Sequence, residues 1–168
     1  MLRSTRATAV AALLTAALTA CTSAGETRCS APLPFSYETP VLEMVRVYTG
    51  ADGLSHAEVQ KITGETTTYL GALLRQFQLG DPSNVVIVSG PPDFRIAVHP
   101  APYREMFLIL AGSSIIELSD GTEQPLNPGS WVLFEDTTGP GHGGRFGPCG
   151  YVAVDLQFKN APVPASTP

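Results

Sequence analysis

The feature that most constrains this chain is a series of short alternating segments separated by glycine and proline turns. It is clearest between His99 and His142, where Ser119-Asp120-Gly121 and Asn127-Pro128-Gly129 interrupt the alternation. Successive side chains of a strand face opposite ways, so alternation predicts half-buried strands, and glycine suits the turns between them. With 16 Gly and 15 Pro in 168 residues, the chain is typical of an all-β sandwich or barrel.

The same pattern places the strands along the chain. We predict loop at residues 139–150, which hold most of the clustered glycines. Strands are predicted at residues 41–48, 85–89, 94–99, 105–111, 113–118, 123–126, 131–135 and 151–158.

Two segments nearer the N-terminus suggest minor helical content. Residues 54–62 fit a helix slightly better than a strand, because Ser55 and Glu58 have the spacing of a capping box. A second strand that pairs with the first remains the alternative. Residues 66–78 place five apolar side chains on one helical face, and they predict a short helix or an irregular segment.

The N-terminus has the pattern of an export signal. Arg3 and Arg6 precede a short apolar run at residues 9–18, which is too short to span a bilayer. Leu18-Thr19-Ala20-Cys21 resembles the lipobox of bacterial lipoproteins. The resemblance implies cleavage before Cys21 and acylation of that cysteine, which anchors the mature protein to the cell membrane or the outer membrane.

These patterns divide the chain into four parts. We predict a signal peptide at residues 1–20, a tether at 21–40, a single domain at 41–160 and a disordered tail at 161–168. Without the signal peptide, 8 basic and 15 acidic residues leave a net charge of −7. No basic stripe is present, so nucleic acid is not an expected partner.

Two cysteines remain once Cys21 is assigned to lipid. In an exported protein, such a pair usually forms a disulfide. We therefore expect a Cys29–Cys149 bridge, and two free thiols are the alternative.

The stretch from His99 onwards resembles the cupin superfamily. The first cupin motif, G(X)5HXH(X)3–4E(X)6G, aligns with His99, Glu105 and Gly112, and Ala101 stands where the second histidine belongs. The second motif aligns with Pro128-Gly129 and His142. HPAP at 99–102 and EDTTGPGH at 135–142 resemble a branch of small bacterial cupins of uncharacterised function. The resemblance implies a double-stranded β-helix, a small jelly-roll barrel, and the family includes homodimers.

The cupin resemblance also implies a metal site. His99, Glu105 and His142 would be the ligands, a set that suits Fe, Mn, Ni or Zn and leaves positions open for substrate. The departure at Ala101 removes one usual ligand. Pro100 and Pro102 flank that position and remove ladder donors, which argues for a metal-free site.

Further polar residues are candidates for a supporting role. Asp136 has two interpretations that are not exclusive: it accepts a hydrogen bond from an imidazole, or it caps the strand end in a turn. Arg104 and Arg145 are candidates for binding a ligand carboxylate, and solvated surface arginines are the alternative.

Two functions follow from the sequence. The first is an exported, lipid-anchored cupin-domain protein that binds a small polar ligand inside the barrel without turnover. The second is a metal-dependent enzyme, an oxygenase, isomerase or lyase, that uses His99, Glu105 and His142. Fold alone does not decide between them.

Overall fold

The computed structural model describes residues 40–159, and every regular element in that stretch is a β-strand, which confirms the predicted all-β class. No helix in this stretch is long and apolar enough to cross a membrane. The predicted signal peptide, the tail and nearly all of the tether lie outside the described residues. The strands are β1 (Val41–Thr49), β2 (Ser55–Thr63), β3 (Glu65–Tyr69), β4 (Ala72–Gln76), β5 (Asn84–Gly90), β6 (Arg95–His99), β7 (Arg104–Leu118), β8 (Glu123–Leu126), β9 (Trp131–Glu135) and β10 (His142–Phe158).

The two longest strands, β7 and β10, form the antiparallel ladder around which the others are arranged. The first half of β7 pairs with β9 and with the second half of β10, and β5 pairs with that same half of β10. The second half of β7 pairs with β8 and with the first half of β10, which also pairs with β6. β1 continues the first half by parallel pairing with β9, and β2 pairs with β1 at the edge. This arrangement is consistent with the predicted jelly roll.

Both long strands change direction at a glycine. Gly112 in β7 and Gly150 in β10 have φ of +72° and +73°, a conformation that L side chains rarely adopt. The ladder between the strands shifts register between Phe146 and Tyr151, beside these glycines. A β-bulge bends a strand in this way, so each strand contributes to two facing layers.

Two groups of buried apolar side chains hold the layers in place. The inner group lies between the two layers. The outer group lies on the opposite face of the layer that contains the first half of β7, where Phe77 and Leu79 pack over it. Alternation along β7 separates them, since Ile109 points inward and Met106 outward. The inner group comprises Val47, Ala101, Ile109, Ile116, Leu118, Leu126, Val132, Phe134 and Ala153, and the outer group comprises Leu42, Met44, Met106, Leu133 and Phe158.

The helix favoured at residues 54–62 is wrong, and the strand alternative is correct. All nine residues of β2 pair with β1, across the turn that follows Thr49. The presumed capping residues have other partners. The Ser55 hydroxyl donates to Asp136, and Glu58 forms an ion pair with Arg46. Strand pairing overrides a weak local helix signal here.

The helix or irregular segment expected at residues 66–78 is also wrong. Residues 65–76 form the β3–β4 hairpin, whose turn residues Leu70 and Gly71 both have positive φ. This pair of angles is typical of a two-residue hairpin turn. Four of the five apolar side chains of the predicted helical face are exposed, Leu70 at 91%, whereas the fifth, Phe77, packs over the outer buried group.

The predicted loop at residues 139–150 is wrong as well, since β10 begins at His142 and runs through most of it. The segments 105–111 and 113–118, predicted as two strands, form the single strand β7. Glycines fit within β10 because neighbouring strands approach its backbone closely and leave little room for a side chain. A Cβ on Gly143 would lie 3.1 Å from the carbonyl oxygen of Ile96, and one on Gly144 would lie 3.1 Å from that of Ile115.

The bend at Gly112 predicts that a larger residue at this position destabilises the protein. A Cβ at Gly112 would overlap the carbonyl oxygen of Gly150, so Gly112→Ala adds a backbone clash to the cost of positive φ. We expect a loss of about 3 kcal/mol or more in the free energy of unfolding. Urea denaturation of the full chain, followed by the fluorescence of Trp131, measures it.

Gly121→Ala is the matched control, because Gly121 also has positive φ but a Cβ there meets nothing within 4 Å. It should cost only about 1–2 kcal/mol. Equal losses in the two variants would show that the close approach of β7 and β10 is not needed.

Candidate functional site

A cavity of about 300 Å³ lies between the two layers, and five residues of the inner apolar group contribute to its wall. Its size is at the lower end of the range typical of small-molecule sites. The polar members of the wall include His99, Glu105, His142 and Arg145. The apolar members are Val88, Ile96, Phe107, Ile109, Ile115, Ile116, Leu126, Val132, Phe134, Phe146 and Tyr151.

The two histidines lie side by side on neighbouring strands. His99 of β6 pairs in register with His142 of β10, and their ring centroids are 5.2 Å apart. His99 is exposed, so it lies where the cavity meets solvent, whereas His142 is only 8% exposed. The His142 ring stacks on Phe134 with the centroids 4.3 Å apart. One imidazole is therefore held firmly inside the cavity and the other is at its entrance.

Asp136 orients the buried imidazole, as one of its two predicted interpretations requires. Its Oδ2 accepts from Nδ1 of His142 at 2.8 Å and from the Ser55 hydroxyl at 2.7 Å. Asp136 is fully buried, and its Oδ1 has no hydrogen-bond partner among residues 40–159. The loop between β9 and β10 thus supplies a buried carboxylate that fixes the ring of His142, as such carboxylates commonly do.

Glu105 brings a second carboxyl group to the cavity, from the start of β7. It pairs in register with Phe134 on β9, whose ring stacks on His142. Burial is the main cause that raises the pKa of Glu105 to about 8, and the nearby charges of Asp155 and Asp136 contribute to the same shift. The Glu105 side chain has no hydrogen bond or ion pair with another residue in the described part of the chain.

The predicted metal ligands therefore line one cavity but do not form a metal-binding set. Within residues 40–159, no group of three or more His, Cys, Asp or Glu side chains is placed to hold a metal ion. A bound divalent ion needs its donors within about 2.0–2.2 Å. We derive no chemical step through a metal at this site.

The two arginine candidates occupy different places. Arg145 lines the cavity, but its guanidinium is held by Glu117 and Glu123. Arg104 points to the outer face of the sheet, where its Nε donates to Glu135 at 2.7 Å and its guanidinium lies over Phe158. Neither arginine therefore offers an unpaired guanidinium to a ligand carboxylate in the cavity.

Three further polar residues near the site were missed in the sequence. Ser55, read there only as a helix cap, is fully buried against Asp136. Asp155 and Gln157 are also buried, and the Gln157 amide donates to Oδ2 of Asp155 at 2.6 Å. The sequence did carry a signal for Asp155 and Gln157. They occupy inward positions of a strand that otherwise alternates well, where apolar residues are expected.

The cysteines leave the predicted disulfide as a prediction. Cys149 lies in β10 and is exposed. Cys29 lies outside the described residues, as does Cys21.

Comparisons with known proteins add little to this geometry. No protein-family model matches the chain, and no curated protein matches it. Among solved structures, the chain is similar to the cupin domain of Cnp3 from Schizosaccharomyces pombe, at 11% identity and a TM-score of 0.35. That alignment covers 68% of this chain and 87% of the other. At this level of similarity the comparison carries no functional conclusion, and the description of the site rests on the residues above.

The raised pKa of Glu105 makes stability depend on pH. Between pH 4.5 and about 8 the unfolded chain loses the Glu105 proton while the folded chain keeps it. The unfolded state then binds fewer protons, so the free energy of unfolding must fall as pH rises through this window. Glu105→Gln removes the effect, and we expect it to stabilise the protein at pH 8 by a few kcal/mol.

Urea denaturation at a series of pH values compares the two proteins. Glu43→Gln, at an exposed carboxylate paired with Lys61, is the control and should follow the wild type. A wild-type slope that Glu105→Gln leaves unchanged would show that another group is responsible.

Proposed function

We propose that this chain is a cupin-type binding domain that encloses a small organic molecule between its two layers. The observation that carries the proposal is the cavity, in which His99, Glu105 and His142 lie within an otherwise apolar wall. Binding sites for small molecules commonly combine an apolar wall with a few polar groups that fix orientation. The cupin motifs at His99–Gly112 and Pro128–His142 support the same assignment.

We propose a less polar ligand than the small polar one that the sequence predicts. A small polar ligand would leave most of the aromatic and aliphatic wall in contact with polar atoms, which costs free energy. The ligand that fits has an apolar body against side chains such as Phe107 and Ile109, with a polar group at the histidine end.

The alternative is a metal-dependent enzyme that uses His99, Glu105 and His142. The described residues do not gather these donors into a ligand set, so no contact favours this alternative.

We also propose that the protein is exported and anchored by lipid at Cys21. The support is the N-terminal sequence alone: Arg3 and Arg6, the apolar run at residues 9–18, and the cysteine after Leu18-Thr19-Ala20. Two or more acyl chains give stable membrane attachment, so the binding domain would work at a membrane surface.

Filling the cavity should weaken binding without unfolding the protein. Ser114 lines the cavity and has the inward parity of Ile116, so Ser114→Phe would place a ring inside it. Saturation-transfer NMR with indole and 2-phenylethanol should detect binding to the full chain in nonionic detergent. We expect Ser114→Phe to weaken it by about tenfold or more.

Thr68→Phe, on the exposed face of the β3–β4 hairpin, is the matched control and should bind as the wild type does. Binding that survives in Ser114→Phe, with the fold intact by circular dichroism, would place the site elsewhere.

The lipid anchor gives a separate prediction. In a bacterial host, Cys21→Ala should abolish incorporation of labelled palmitate and move the protein out of the detergent phase. Cys149→Ala controls for loss of a thiol elsewhere and should still be labelled. Labelling that persists in Cys21→Ala would contradict the anchor.

A further inference from the structure

The hydrogen bonds of the two histidines decide what their free nitrogens offer to a ligand. Nδ1 of His99 lies 2.9 Å from the carbonyl oxygen of Ala97, and Nδ1 of His142 lies 2.8 Å from Oδ2 of Asp136. A carbonyl or carboxylate oxygen only accepts, so each Nδ1 must carry the proton. In a neutral imidazole the other nitrogen, Nε2, is then an acceptor. Two acceptors therefore stand at the histidine end of the cavity.

The charges around the cavity also favour a ligand that donates hydrogen bonds over one that carries negative charge. Glu105 lines it, and its side chain has no hydrogen bond or ion pair in the described part of the chain, while Asp155 and Asp136 lie close enough to raise its pKa. The cationic side chain in the wall, Arg145, is already bound to Glu117 and Glu123. The cavity therefore has a carboxyl group without a partner and no uncommitted cation to attract an anion.

The apolar wall is compatible with a cation because much of it is aromatic. Phe107, Phe134, Phe146 and Tyr151 all line the cavity. The faces of aromatic rings carry partial negative charge and attract ammonium groups. The hydroxyls of Ser89, Ser114 and Tyr151 donate or accept, so they oppose neither charge.

We propose that the ligand is a small organic cation, a primary amine on an apolar body. Its ammonium group is the counter-ion of the Glu105 carboxylate, the Nε2 acceptors of His99 and His142 lie in the wall of the same cavity, and the body lies against the aromatic side chains. This inference rests on the proposed function, since it specifies the ligand of the same cavity. A bound ammonium offsets the burial of Glu105 and so stabilises its ionised form.

Three probes of similar shape and different charge test the proposal. Isothermal titration calorimetry at pH 8 compares 2-phenylethylamine, 2-phenylethanol and phenylacetate on the full chain in nonionic detergent. We expect the amine to bind about tenfold more tightly than the alcohol, and the acid more weakly than both.

Variants then assign the preference to Glu105. Glu105→Gln keeps the size of the side chain and removes its charge, so it should weaken the amine by about tenfold and leave the alcohol nearly unchanged. The control is again Glu43→Gln, which removes an exposed carboxylate outside the cavity and should bind all three probes as the wild type does. Circular dichroism of each variant confirms that it is folded.

The other outcomes contradict either the ligand class or the binding function. If the alcohol or phenylacetate binds as tightly as the amine, the ligand class is wrong and the binding function stands. If Zn²⁺ or Mn²⁺ alone binds stoichiometrically and Glu105→Gln abolishes it, a metal replaces the organic cation. If no small probe binds, the proposed function and this inference both fail.

Discussion

The ladder between β7 and β10 is the interaction on which the rest of the structure depends. Its two halves are joined at Gly112 and Gly150, where both backbones take positive φ and approach each other closely. Because each strand passes through the bend, one ladder supplies strands to both layers. Every other strand of this sheet except β1 and β2 pairs directly with one of these two. The distance between the layers, and hence the cavity, follows from this single bend.

The polar groups of the cavity are placed by the same ladder and its neighbours. Glu105 lies on the first half of β7 and His142 on the first half of β10, so they belong to opposite layers. Phe134 connects them, since it pairs with Glu105 and stacks on His142. The buried Asp136 then fixes the imidazole from behind. Glu105, which is half-buried, and His142, which is buried, lie in a wall that is otherwise mostly apolar. A carboxyl group without a partner is costly there unless a ligand satisfies it.

Much of the fold was predictable because alternation and turns are local signals. The strands at residues 123–126 and 131–135 have the bounds that the sequence predicts, and β1 differs by one residue. The errors lie where local preference is weak or contrary and strand pairing decides the conformation. Residues 54–62 pair with the preceding strand β1, residues 66–78 form most of the β3–β4 hairpin, and residues 139–150 pair with the more distant β7 and β6. The glycines of β10 are typical of a loop in sequence, and only the close approach of the neighbouring strands explains their place in a strand.

The sequence by itself determined the all-β class, most strand positions and the candidate residues His99, Glu105, His142 and Asp136. Side-chain periodicity and residue type carry this information, and both can be read locally. Only the tertiary structure decided that His99 and His142 lie side by side, that Arg104 faces outward, and that Ser55 supports Asp136. These relations join residues far apart in the chain. They depend on strand register and on the bend at Gly112, which spacing along the sequence does not specify.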